Sequence, residues 1–85
     1  METLEAVERD DAPQAFSEEA MRTAEALVFA SASPVSENWL ADRLPRGTDV
    51  ALLMKALQAD YARRGVNLMR VEDHWAFRTA PDLSF

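Results

Sequence analysis

The hydrophobic pattern changes its period at Gly65, and this change constrains the fold more than any other feature of the chain. Before Gly65, apolar side chains recur every three to four residues, the spacing of helices that bury one face. After it, residues 66–71 and 75–79 are rich in β-branched and aromatic side chains, which is typical of strands. The sequence therefore predicts helices first and a β-hairpin last.

Three helices are predicted before the hairpin, each starting at a side chain that can accept hydrogen bonds from the free N–H groups of the first turn. They span about residues 17–31, 36–44 and 48–64, with caps at Ser17, Ser36 and either Thr48 or Asp49. Their inward faces are predicted to consist of Ala20, Met21, Ala24, Leu27, Val28, Ser31, Leu40, Leu44, Val50, Leu53, Met54, Leu57 and Tyr61.

Two turns complete this prediction. Gly65 follows the third helix, where a residue free to adopt positive φ often ends a helix. Glu72, Asp73 and His74 form the hairpin tip, where Asp73 tolerates the left-handed conformation, and Pro81 ends the second strand. Three helices followed by a hairpin define an α+β, mainly α, fold: the winged helix-turn-helix.

The charge is distributed unevenly along the 85 residues. Residues 1–19 hold seven acidic side chains and one basic one, whereas the rest of the chain holds eight of each. We therefore expect a flexible acidic leader over residues 1–16, a winged-helix domain over residues 17–82 and a short C-terminal end over residues 83–85. The sequence has no cysteine and no apolar run of membrane-spanning length, so we expect an intracellular, cytoplasmic protein.

Two stretches of the sequence carry a family resemblance. Residues 24–31 (Ala-Glu-Ala-Leu-Val-Phe-Ala-Ser), with Pro34-Val-Ser36 and Leu40-Ala41, resemble the start of the segregation and condensation protein B (ScpB) family. Leu57, residues 61–68 (Tyr-Ala-Arg-Arg-Gly-Val-Asn-Leu), residues 75–79 (Trp-Ala-Phe-Arg-Thr) and Pro81 are similar to its third helix and wing. The ordered match covers roughly residues 20–82.

The resemblance implies a role as well as a fold. Members of that family are accessory subunits of the bacterial SMC–kleisin condensin complex, which condenses and segregates chromosomes at the nucleoid. They contain two winged-helix domains, form homodimers chiefly through the first and bind the kleisin subunit mainly through the second. This chain resembles the first domain alone, so the resemblance implies self-association, with kleisin binding needing a second domain. Asp73 and His74 at the wing tip, where the family often has glycine, and Trp39, where it more often has a polar residue, are departures.

Several apolar residues lie outside the predicted inward faces. Phe29 lies well away from the stripe of the first helix, with Ala26 and Ala30 beside it; it is either covered by the hairpin or C-terminal residues, or forms a dimer contact. Trp39 lies at the edge of the core, where it packs against its neighbours or anchors a partner. The residues proposed for a protein interface are Ala26, Phe29, Ala30, Trp39, Leu52 and Ala56.

The alternative function is that of a DNA-binding winged-helix regulator, in which the third helix enters the major groove. The side chains predicted to face outward there are Ala51, Lys55, Gln58 and Ala62. They offer one charge and one amide, and Glu72 and Asp73 at the wing tip would repel phosphates. The sequence therefore favours a protein contact, with little or no direct DNA binding.

Catalytic residues are not expected. His74, the only histidine, lies at the hairpin tip, and Ser31, Ser33 and Ser36 suit caps and turns. With only Gly47 and Gly65, the chain has no glycine-rich phosphate-binding loop. The sequence thus predicts neither an enzyme nor a metal or cofactor site.

Overall fold

The computed structural model describes residues 16–83 of the chain. Three α-helices precede a β-hairpin, which confirms the predicted α+β winged helix-turn-helix. The elements are α1 (Glu18–Ala30), β1 (Val35–Ser36), α2 (Glu37–Arg43), α3 (Val50–Tyr61), β2 (Val66–Val71), β3 (His74–Thr79) and a 3-10 turn (Pro81–Leu83).

Each α-helix begins at the kind of residue that the sequence predicted. The side-chain oxygens of Ser17, Ser36 and Asp49 each accept the backbone N–H three residues further on, at 3.0–3.1 Å. Of the two candidates for the third cap, Asp49 is therefore the cap. The hydroxyl of Thr48 instead donates to the carbonyl of Pro45 at 2.6 Å.

The inward faces of the helices meet over the sheet in one core. Its largest fully buried side chains are Leu40, Leu53, Met54, Leu68 and Trp75. The predicted stripes are confirmed, since Ala20, Ala24, Val28, Leu44, Val50 and Leu57 are also buried. Phe16, Met21, Leu27, Trp39, Tyr61 and Phe77 pack against this core while partly exposed. Residues 1–15 of the predicted leader and residues 84–85 lie outside the described part of the chain.

The sheet contains a strand that the sequence did not predict. Its order is β1-β3-β2, with antiparallel neighbours. Val35 in β1 pairs with Trp75 in β3, and β2 pairs with β3 along its whole length, from Val66 opposite Thr79 to Val71 opposite His74. Two residues show no periodicity, so β1 has no signature in the sequence.

The end of α3 differs from the prediction. The helix ends at Tyr61, not near Arg64, and Gly65 does not have positive φ. The last carbonyls have other donors: the Ala59 carbonyl accepts the N–H of Ala62 at 3.3 Å, and the Tyr61 carbonyl accepts the N–H of Arg64 at 3.1 Å and the Asn67 amide at 2.8 Å. A helix whose last carbonyls are satisfied in this way does not require a left-handed glycine. Gly47, in the turn before α3, is the glycine with positive φ, at 88°.

The wing turn also differs in detail. Glu72, with φ of 58°, adopts the left-handed conformation that had been assigned to Asp73, and His74 already belongs to β3. The carbonyl of Asp73 accepts the backbone N–H of Glu37 at 2.9 Å. The pairing of Val71 with His74 leaves Glu72 and Asp73 as a two-residue turn, and positive φ at the first central residue alone is the pattern of a type II′ turn.

Candidate protein-interaction surface

An open groove of about 760 Å³ runs beside the second half of α1. Its apolar residues come from three elements that are distant in sequence, and charged residues from the first half of α1 lie at one end. We call this surface the α1 groove. Its apolar wall consists of Ala26, Leu27, Phe29, Ala30, Val66 and Phe77, with Tyr61 and Glu25 at its side and Glu19 and Arg22 towards the charged end.

Phe29 is the most exposed large apolar side chain of this surface. Its relative exposure is 78%, while Val66 across the groove is 42% exposed. The hairpin therefore does not cover Phe29, although Val66 and Phe77 approach it from β2 and β3. The sequence left open whether the hairpin covers the Phe29 side chain, and the structure of residues 16–83 excludes this alternative.

Tyr61 and Glu25 form a polar link between α3 and α1 at the side of the groove. The Tyr61 hydroxyl donates to the Glu25 carboxylate, and its ring packs edge-on against Phe77 with centroids 4.9 Å apart. This hydrogen bond is the main cause that raises the pKa of Tyr61 above its ordinary value of 10.0, because ionised tyrosine cannot donate it and would face a carboxylate. The link fixes the end of α3 against α1.

Trp39 belongs to a different part of the surface. Its half-buried ring lies under the guanidinium of Arg43, 3.8 Å from the ring centroid, and Arg43 also donates to the carbonyl of Trp39 at 3.0 Å. With Pro34 and His74 it lines a shallow cleft outside the α1 groove. These contacts favour packing of Trp39 against its own neighbours.

Leu52 and Ala56 occupy a third location, on the flank of α3. Leu52 is 49% exposed and Ala56 is half-buried, and neither lines the α1 groove. The six interface candidates thus do not form one patch. Ala26, Phe29 and Ala30 lie together, and the other three lie apart from them.

The outward face of α3 has fewer exposed polar side chains than the sequence predicted. Gln58, expected to face solvent, is half-buried and donates its amide to the carbonyl of Leu68 at 3.0 Å. The approach of β2 to α3, which helical periodicity alone cannot show, accounts for this difference. Lys55 is exposed on α3, and Glu72 and Asp73 are exposed at the wing tip.

His74 is exposed at the start of β3, with its Nδ1 atom 2.8 Å from a carboxylate oxygen of Asp73. Across residues 16–83, no cluster of three or more histidine, aspartate or glutamate side chains has an arrangement suited to a metal ion. In the same part of the chain, none of the helices has the length and apolar character needed to cross a membrane.

The opposite wall of the α1 groove was missed in the sequence. Val66 and Phe77 were assigned to strands, but their position beside Phe29 depends on how the hairpin docks on α1. The link between Glu25 and Tyr61 joins residues 36 positions apart and was missed for the same reason. The sequence predicted only the α1 side of the groove, namely Phe29 outside the inward stripe with Ala26 and Ala30 beside it.

Comparison with known proteins identifies one family. No curated protein and no solved structure matches the chain significantly. The family model described as segregation and condensation complex subunit ScpB matches residues 22–85, which is well over half of the chain and includes α2, α3 and the whole sheet. The chain therefore belongs to the ScpB family of accessory subunits of the segregation and condensation complex.

Proposed function

We propose that this domain is a non-catalytic self-association module of a ScpB-type subunit, which joins two copies of the subunit within the SMC–kleisin condensin complex. The observation that carries the proposal is the exposed Phe29 ring beside the apolar α1 groove. In this role the protein acts in chromosome condensation and segregation, in the cytoplasm and at the nucleoid.

The energetics of a small domain support self-association. A chain of this size buries a limited fraction of its surface, so apolar surface left uncovered is a considerable cost. Burying a phenylalanine side chain contributes about 1.5–3 kcal/mol, and aromatic anchors seated in pockets dominate protein interfaces. Val66, Ala26 and Ala30 extend the apolar surface around Phe29. A second copy that covers this patch stabilises both copies.

The other partners follow from family membership. The kleisin subunit is proposed to bind through a second domain of the ScpB-type subunit, and the SMC proteins to be reached through kleisin. Direct DNA binding is disfavoured because the outward face of α3 offers Lys55 but little else that is basic, and because the exposed Glu72 and Asp73 at the wing tip repel phosphates.

Sedimentation equilibrium of the 85-residue chain over a range of concentrations tests the proposal. The expected result is a reversible monomer–dimer equilibrium. Phe29→Asp should weaken association at least a hundredfold, since it places a charge in a desolvated contact. Ala59→Asp is the matched control: it places the same charge in the last turn of a helix, at an exposed residue of α3 outside the α1 groove, and should leave the dimer intact.

Circular dichroism of the same variants separates an interface from a core position. A folded, monomeric Phe29→Asp variant supports the proposal, whereas an unfolded one shows that Phe29 is needed inside the monomer. A wild-type chain that stays monomeric at high micromolar concentration contradicts the proposal, whatever the variants do.

A further inference from the structure

The solvent-facing side of α1 is divided along its length. Residues 19, 22, 23, 26, 29 and 30 are three or four positions apart and therefore share one side of the helix. The first half of this side carries Glu19 and Arg22, whereas the second half carries Ala26, Phe29 and Ala30. Glu25 lies at the edge of the second half, where its carboxylate accepts the hydrogen bond from Tyr61. The uneven distribution of charge limits how two copies can meet along α1.

Two antiparallel arrangements of α1 with its copy can be compared. In the first, the two-fold axis lies level with Ala24, at the middle of the helix. Phe29 of one copy then lies opposite Glu19 of the other, and Ala26 lies opposite Arg22. That arrangement buries charged groups against apolar ones, which is costly without compensating partners. In the second, the axis lies level with Val28. The Ala26–Ala30 segments of the two copies then contact each other, and Glu19 and Arg22 remain exposed to water.

The second arrangement also satisfies the requirement of a two-fold interface. Such an interface uses the same patch on both copies. A side chain that protrudes into the partner must therefore lie next to the groove that accepts the partner's identical side chain. Phe29 projects from the rim of the very groove that Val66 and Phe77 line. The small side chains of Ala26 and Ala30 allow the two helices to approach closely.

We infer that the two-fold axis of the dimer passes beside the second half of α1, so that Phe29 of each copy enters the α1 groove of the other. The inference rests on the proposed self-association and adds its geometry. The paired helices cross at their C-terminal halves, and their charged N-terminal halves diverge into solvent.

Single-cysteine cross-linking measures the position of the axis. The chain has no native cysteine, so one introduced cysteine is the sole thiol. A residue beside a two-fold axis lies close to its own counterpart, whereas a residue far along the helix does not. The variants are Ala30→Cys, Thr23→Cys and Glu19→Cys; the first and last lie about 16 Å apart at 1.5 Å per residue. Each is treated with a short bismaleimide and analysed for covalent dimer.

The inference requires the yield of covalent dimer to fall in the order Ala30→Cys, Thr23→Cys, Glu19→Cys. The first should exceed the last at least fivefold. A maximum at Thr23→Cys or Glu19→Cys, or a yield at Ala30→Cys no higher than at Glu19→Cys, overturns this geometry. Sedimentation of the variants before cross-linking distinguishes a wrong axis from the absence of a dimer. An intact dimer with the wrong order refutes the axis alone, whereas absence of any dimer refutes the proposed function as well.

Discussion

Trp75 donates its indole N–H to the carboxylate of Glu37 at 2.9 Å, which joins the centre of the wing to the first turn of α2. Trp75 is 1% exposed, so this N–H has left water entirely. The same carboxylate oxygen lies 3.6 Å from Nε of Arg70, whose guanidinium also lies over the Trp75 ring. One acidic side chain thus satisfies the polar atom of the largest core residue.

Glu37→Ala is expected to destabilise the fold, because the buried indole N–H of Trp75 loses its acceptor. An unsatisfied buried donor costs about 1–3 kcal/mol, which in a domain of this size lowers Tm by several degrees. Glu18→Ala provides the control, since Glu18 is an exposed acidic residue in the first turn of α1. Thermal unfolding followed by circular dichroism compares them; equal losses from the two substitutions would contradict the role assigned to Glu37.

Two adjacent leucines of α3 should respond very differently to truncation. Leu53 is fully buried, and Leu53→Ala should reduce the free energy of unfolding by about 2–5 kcal/mol. Leu52 is 49% exposed, and Leu52→Ala should cost less than about 1 kcal/mol. Urea unfolding at a concentration where the chain is monomeric measures both. A large effect of Leu52→Ala would show that its side chain is covered.

Tyr61 should ionise at higher pH in the folded chain than in the unfolded chain. Its pKa is raised by the hydrogen bond to Glu25, so the associated stabilisation is complete below about pH 10 and is lost as pH rises through the folded-state pKa. Because Tyr61 is the only tyrosine, tyrosinate absorbance follows it directly. Glu25→Gln removes the charge and should lower the midpoint; an unchanged midpoint would exclude Glu25 as the cause.

Duplex DNA should not bind the domain appreciably at physiological salt. The exposed face of α3 and the wing tip lack the positive charge that drives phosphate contacts. Replacing Glu72 and Asp73 with lysine should add weak, salt-sensitive affinity if charge is the limiting factor. Fluorescence anisotropy measures both chains, and a salt-sensitive micromolar Kd for the unmodified chain would favour the DNA-binding regulator.

The features that depend on local periodicity and helix capping could be predicted from the sequence. The order of elements, the caps at Ser17 and Ser36 and the inward stripes of all three helices follow from side chains within a few positions of each other. The left-handed residue of the wing is Glu72 and not Asp73, because the strand register puts His74 in β3 and makes Glu72 the first residue of a two-residue turn. Gly65 does not need positive φ, because donors without a standard sequence signature, among them the Asn67 amide, satisfy the last carbonyls of α3.

The candidate site was predicted only in part, for a related reason. The angular position of Phe29 on α1 follows from helical geometry, and the structure places it in solvent. Val66 and Phe77 complete the α1 groove through tertiary packing, which no local pattern encodes. Gln58 was assigned to solvent because its helix was considered without β2, whose Leu68 carbonyl it meets.

The pairing of Val35 with Trp75 has a consequence for how the chain folds. The hairpin closes over a two-residue turn, whereas β1 reaches its partner only after the 37 residues between Ser36 and His74 have closed into a loop. Closure of the longer loop carries the larger entropic cost, so the hairpin is expected to form before β1 joins it. Once joined, β1 and the α2 that follows it directly cannot separate from the wing without exposing Trp75. The helix-turn-helix and the wing should therefore exchange their amide hydrogens as a single cooperative unit.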